Sequence, residues 1–188
     1  MRKTALAALI AAAPVLAQAD TEGPNLAINV SGEANGTIVI DLFPDVAPRH
    51  VEQITTLARQ GAYDGVVFHR VIDGFMAQTG DVQFGKEGEG LARAGMGGSD
   101  LPDIPAEFSD IPFDRGVVGM ARAQDPNSAN SQFFIMFAPG HFLNGQYTVV
   151  GEVIEGMDVV DAIKKGSQAA NGAISGDPDV MTDVEVIE

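Results

Sequence analysis

The chain has 188 residues, with 11 Lys and Arg against 26 Asp and Glu, a formal net charge of −15 and no Cys. The length suits one domain with a sizeable core, and the acidity excludes a protein that neutralises nucleic-acid phosphates through a basic face. The missing cysteine excludes a disulfide scaffold, thiolate metal sites and a cysteine nucleophile.

Residues 1–19 read as a cleavable secretory signal. Arg2 and Lys3 form a basic start, Ala5 to Ala13 an apolar core, and Pro14 breaks any helix. Ala17-Gln18-Ala19 supplies the small-x-small site at which a signal peptidase cuts, after Ala19. Cleavage leaves one domain, 20–188, and takes the formal charge from −15 to −17. The apolar core is too short to span a bilayer, and no later run is longer. A monomer without membrane insertion, exported to the periplasm, is therefore expected.

Leu26 to Val30 and Thr37 to Leu42 alternate like strands and flank an Asn35-Gly36 turn, which makes a hairpin. Val51, Ile54, Leu57 and Ala58 fall on one helical face, with Pro48 in the first turn and Gly61 as the stop. Val66 to Ile72 is a β-branched run that reads as one strand. Phe75 to Gln78 is a shorter extended piece. Gly85 to Gly98 crowds six glycines into a stretch poor in apolar anchors, a long surface loop. Gly116 to Ala121, Gln132 to Met136 and Tyr147 to Val153 are three further strands. Gly156 to Lys165 reads as a second helix, with Lys164 and Lys165 at the negative end of its dipole. Met181 to Ile187 closes the chain as a strand. Strands do not alternate with helices, so a doubly wound sheet is excluded. Seven or eight strands and two helices predict a closed antiparallel barrel, mainly β, with helices over its open ends.

His50, His69 and His141 are not at metal-ligand spacing, and there is no H-E-x-x-H pair, nucleophile elbow or phosphate loop. No metal and no cofactor are expected. What remains are polar residues inside apolar strands. Counting by two from Val66 puts Arg70 on one face with Val66, Phe68 and Ile72. A charge among hydrophobes costs free energy unless it is paired or used. The alternatives are an arginine snorkelling at a strand end and a functional one.

Two segments carry a resemblance. YDGVVFHRVIDGFMAQTGD, Tyr63 to Asp81, and GVVGMARAQDPNSANSQFFIMFAPGHFLNGQYTVVGEV, Gly116 to Val153, resemble the signature stretches of the cyclophilins, the cyclosporin-type peptidyl-prolyl cis-trans isomerases. The resemblance, to exported bacterial members, implies a closed eight-stranded antiparallel barrel capped by two helices. It implies an isomerase acting on X–Pro bonds of exported, folding proteins. Carried over by motif, Arg70 is the catalytic arginine, with Gln78 holding it and the substrate backbone. Phe75, Met76, Phe134 and Leu143 form the pocket for the proline ring, Ala121 lines the neighbouring groove, and Gln132 is the second glutamine. Three positions depart from the best-known members. Arg122 replaces an asparagine and is expected to bring charge beside the groove. Phe142 replaces a tryptophan and removes an indole donor, which implies weak cyclosporin binding. Tyr147 replaces a histidine, which implies activity without an imidazole-like pH step. The implied partners are proline-containing peptide segments. The alternative on the same fold is a non-catalytic peptide-binding or chaperone module.

Overall fold

A computed structural model describes residues 23–187. The signal segment at 1–19 and its cleavage point lie outside the described residues. The elements are β1 (Asn25–Ser31), β2 (Gly36–Leu42), α1 (Pro48–Arg59), β3 (Val66–Val67), β4 (Arg70–Ile72), β5 (Met76–Thr79), β6 (Val117–Met120), β7 (Phe133–Met136), β8 (Val149–Glu155), α2 (Met157–Ala162) and β9 (Val180–Ile187). All strand pairs are antiparallel, in the order β3-β9-β1-β2-β8-β6-β7-β5-β4.

The sheet is not the closed eight-stranded barrel that the sequence suggested. It has nine strands and is an open, strongly curled half-barrel whose edges lie 9 Å apart. The cause lies in the run expected to form one strand, Val66 to Ile72. The chain breaks strand geometry at Phe68 and His69 and forms β3 and β4 instead, which are the two edges of the sheet. Along this crossing the backbone is satisfied elsewhere. Phe68 N donates to Asp179 O, Ile174 N donates to His69 O, and Val71 N donates to Gly172 O. With those groups spent on residues 172–179, no ladder forms between the edges. Register shifts at Asn29/Val30, Val39/Ile40 and Val118/Gly119 add the local twist that curls the remainder.

The same break changes the face of Arg70. Val66 and Phe68 are buried in the main core, and so is Val71. Arg70 is half-buried and Ile72 packs against a second apolar cluster. The expected grouping of Arg70 with Val66 and Phe68 is therefore wrong. An irregular residue pair shifts the two-residue alternation by one, and every side chain beyond it changes face.

Two helices are present, as expected. Pro48 opens α1, where its missing N–H costs nothing. The first turn has no cap from its own Ala47. Glu107 instead accepts from Arg49 N and His50 N, and lies 2.6 Å from His50 Nδ1. α2 stops at Ala162, short of the lysines expected to end it. Lys165 nevertheless reaches back, donating through Nζ to the carbonyls of Asp161 and Ile163. Among the described residues no helix is long and apolar enough to cross a membrane.

His69 sits in the seam between the sheet edges, 7% exposed. Burial pulls its pKa down from 6.5 to about 4, outweighing the nearby Asp81 carboxylate and the Val67 backbone, with Arg70 pushing the same way as burial. Burial also lowers His50, despite its Glu107 partner. The unfolded chain takes up a proton on His69 near pH 6.5 while the folded chain resists until about 4, and His50 adds to the effect in the same direction. Stability is thus present in full above about pH 6.5 and falls as the pH drops toward 4. In urea denaturation at pH 7 and pH 5, His69→Gln is expected to lose less stability between the two than the parent. Equal losses would place the titration on other groups.

Candidate active site

Alternation on three neighbouring strands builds one wall. On β7, Phe133 and Ile135 enter the main core while Phe134 and Met136 enter the second cluster. On β5, Ala77 is in the main core and Met76 joins Phe134. The register sets Arg70 opposite Gln78 and Gln78 opposite Phe134, so the three stand abreast on the outer face. Gly119 of β6 pairs with Phe134. A Cβ there would lie 2.6 Å from both the Phe113 and Phe134 rings. Its absence lets those rings stack over the backbone, centroids 5.7 Å apart.

A cavity of about 250 Å³ opens on this wall, lined by Arg70, Phe75, Met76, Gln78, Ala121, Arg122, Phe134, Phe142, Leu143 and Tyr147. Met76, Phe134 and Leu143 are its buried apolar surface, 2%, 5% and 7% exposed. Phe142 stands at the rim, 66% exposed, with its ring 5.4 Å from that of Phe75. Tyr147 meets Phe134 edge-on at 5.9 Å. Of the residues singled out from sequence, Gln132 alone lies outside this cavity. It lines an adjoining one of about 540 Å³, which shares Gln78, Ala121 and Arg122 with the first.

The polar side of the site is a hydrogen-bonded chain. Arg70 Nη1 donates to Gln78 Oε1 at 3.0 Å, and Gln78 Nε2 donates to Gln132 Oε1 at 3.0 Å. Gln132 Nε2 donates to Gly97 O at 2.8 Å. Gly97 belongs to the glycine-rich stretch expected to be a surface loop, and buried Asp81 ties that loop down. Asp81 accepts from the backbone N–H groups of Gln83, Phe84, Gly95 and Gly97. The guanidinium is also held from behind. Arg70 Nε donates to Asn171 O and Nη2 to Asn171 Oδ1, each at 3.1 Å. Sequence reading passed over Asn171 and Asp81. The one cue for Asn171 is its Asn-Gly pairing with Gly172, a turn signal without chemistry.

Arg122 lines both cavities, and its donors are turned onto the chain itself. Nη1 donates to Ala123 O and Nη2 to Gln146 O, both at 2.9 Å, and the guanidinium lies 4.4 Å over the Tyr147 ring. Partial burial lowers the pKa of Arg70, opposed by Tyr147. A guanidinium stays charged at neutral pH all the same. The arrangement is a charged donor fork beside an open pocket whose floor is apolar. It suits a compact apolar ring carrying an atom that gains electron density beside the fork.

Known proteins of similar sequence and fold show the family. Residues 26–186 match the model for the cyclophilin type peptidyl-prolyl cis-trans isomerase family. A probable peptidyl-prolyl cis-trans isomerase of Brucella suis is 67% identical over 142 residues, covering 74% of this chain and 72% of the relative. Peptidyl-prolyl cis-trans isomerase B of Escherichia coli is 37% identical over 146 residues, covering 73% and 84%. Among solved structures, a cyclophilin from Hirschia baltica superposes with a TM-score of 0.69 at 28% identity, covering 85% of this chain and 72% of that one. A Cryptosporidium parvum cyclophilin type isomerase, crystallised in the presence of the dipeptide Ala-Pro, gives 0.72 at 25% identity, covering 87% and 99%. With the family model spanning nearly all the described residues and a relative two-thirds identical, the chain belongs to the cyclophilin type peptidyl-prolyl cis-trans isomerases.

Proposed function

We propose that this isomerase turns X–Pro bonds by binding the twisted amide more tightly than either planar form, with Arg70 as the discriminating group. Resonance gives a peptide bond a rotational barrier of about 18–20 kcal/mol. At the twisted transition state that resonance is lost, and the proline nitrogen becomes pyramidal and gains a lone pair. A guanidinium N–H aimed at that lone pair has no comparable acceptor in the planar states, which is catalysis by differential binding. No bond breaks, so no nucleophile is needed. The observation that carries this reading is Arg70, held by Gln78 at the edge of the pocket formed by Met76, Phe134 and Leu143.

The roles follow from position. Phe75, Met76, Phe134 and Leu143 hold the proline ring. Gln78 and Gln132, linked to each other and to Gly97, orient Arg70 and meet the peptide backbone. Ala121 stands where both cavities meet and passes the chain between them. Phe142 and Tyr147 form the outer wall, and Arg122 stiffens it. The clients are proline-containing segments of proteins that fold after export, where uncatalysed isomerisation takes tens of seconds or more. The signal-like start supports a periplasmic location, and the protein acts as a monomer. Expression of the full gene in a Gram-negative host should yield periplasmic protein beginning at Asp20. Retention of Met1 in the cytoplasm would overturn that location.

Two further outcomes are expected. Arg70→Ala should lower kcat/KM for an Ala-Pro peptide by roughly 10²- to 10³-fold, read by NMR exchange spectroscopy, with thermal unfolding almost unchanged. Arg70→Lys should recover little, since an ammonium lacks the fixed fork. Wild-type turnover in Arg70→Ala would remove the mechanism. Phe142→Trp, which restores an indole donor at the rim, should tighten weak cyclosporin binding in calorimetry. Unchanged affinity would mean that the rim residue does not limit the drug.

A further inference from the structure

The segment between α2 and β9 does more than connect them. It lies along the outer edge of the sheet, where β4 has no strand partner on that side. Gly166 N donates to Val71 O, Val71 N to Gly172 O, and Arg70 pairs with Ala173 as an isolated bridge. Two glycines make the approach close enough. A Cβ on Gly172 would lie 2.5 Å from the Ile72 side chain, and one on Gly166 would lie 1.9 Å from Gly172 O. Between them a 3₁₀ turn, Gln168–Ala170, ends at Asn171.

Asn171 is the one non-glycine among the described residues with a left-handed backbone, at φ 53° and ψ 40°. Glycine would serve that conformation at lower cost, so the backbone alone does not explain an asparagine. The side chain does. The left-handed turn brings the carbonyl oxygen and the amide Oδ1 of Asn171 to the same edge of the Arg70 guanidinium. They accept from Nε and Nη2 at 3.1 Å each. Gln78 accepts from Nη1. Three of the five N–H donors of Arg70 are then committed, and each terminal nitrogen keeps one.

We propose that Asn171 is a positioning residue for the isomerase reaction: its two oxygens clamp the rear edge of Arg70 and fix the direction of the remaining donors. The proposal rests on Arg70 being the catalytic arginine. A long flexible side chain must otherwise lose its rotational freedom at the moment the amide twists. A fork held from two sides makes that loss before substrate arrives, which is preorganisation. Asn171 need not touch the peptide. Its loss should therefore slow turnover and leave substrate affinity alone.

The test uses Asn171→Gly, which keeps the left-handed backbone and its carbonyl and removes only Oδ1, and Asn171→Asp, which restores an acceptor. Both are measured beside Arg70→Ala and Arg70→Ala/Asn171→Gly, with kcat and KM for an Ala-Pro peptide from NMR exchange and line-shape analysis, and thermal unfolding in parallel. For Asn171→Gly the expected result is kcat about tenfold lower, in line with loss of one hydrogen bond to a charged group. KM should stay within about twofold, the unfolding temperature should hold, and Asn171→Asp should return kcat to within about threefold of the parent. In the Arg70→Ala background Asn171→Gly should change nothing further. The Arg70 Nη2–H resonances should exchange faster with water in Asn171→Gly than in the parent, while Nε–H, whose carbonyl acceptor remains, should keep its protection. An unchanged kcat in Asn171→Gly, a rise in KM in place of the fall in kcat, or an Asn171→Asp as slow as Asn171→Gly overturns the proposal. Full activity in Arg70→Ala would instead overturn the reading on which it rests.

Discussion

At Phe68 and His69 the chain leaves one edge of the sheet and begins the other, and most of the site's geometry depends on that crossing. The backbone there bonds to residues 174 and 179 rather than to a neighbouring strand. The sheet consequently stays open, and the side-chain alternation slips by one residue. Phe68 and Val71 go into the core, and Arg70 faces out beside Gln78 and Phe134. A regular strand through Val66 to Ile72 would have put Arg70 and Phe68 on the same face. Either the arginine would be buried without room, or the phenylalanine would be lost from the core. The irregular seam resolves that conflict, and it leaves His69 buried with a pKa of about 4 where a regular ladder would have run.

Outward placement alone would leave Arg70 a mobile charge. What fixes it is a polar network extending from Asp81 through Gly97, Gln132 and Gln78 to Arg70, and on to Asn171. Each glutamine donates to one neighbour and accepts from another, so the oxygen and the nitrogen of each amide both have a partner along the path. In a partly desolvated setting such chains are stiffer than their separate bonds. The glycine-rich loop is part of this support, because one buried carboxylate holds four of the loop region's backbone donors.

The apolar side of the site is built from packing rather than polarity. Gly119 removes a side chain so that Phe113 and Phe134 can stack, and Tyr147 closes edge-on against Phe134. Arg122 then covers Tyr147 and is spent on the chain's own carbonyls. Its donors are thus taken up within the wall, while its charge stays beside the groove.

The sequence by itself determined most of the elements and the family, and it named the side chains that line the pocket. Pro48 and the Val51-Ile54-Leu57-Ala58 stripe specify α1, the Asn35-Gly36 turn specifies the first hairpin, and two motif-rich stretches name the family and the residues that meet at the pocket. These are local signals, carried by residue type and spacing of two or three to four. Sheet closure was not legible, because it depends on which distant groups satisfy the backbone at Phe68 and His69. The face of Arg70 was not legible either, since one irregular pair reverses a count by two. Asp81, Asn171 and the turned-in Arg122 each hold a partner remote in the chain, 14, 101 and 24 residues away. A spacing rule sees none of these, because hydrogen bonds between remote segments exist only after the sheet has curled and brought those segments together.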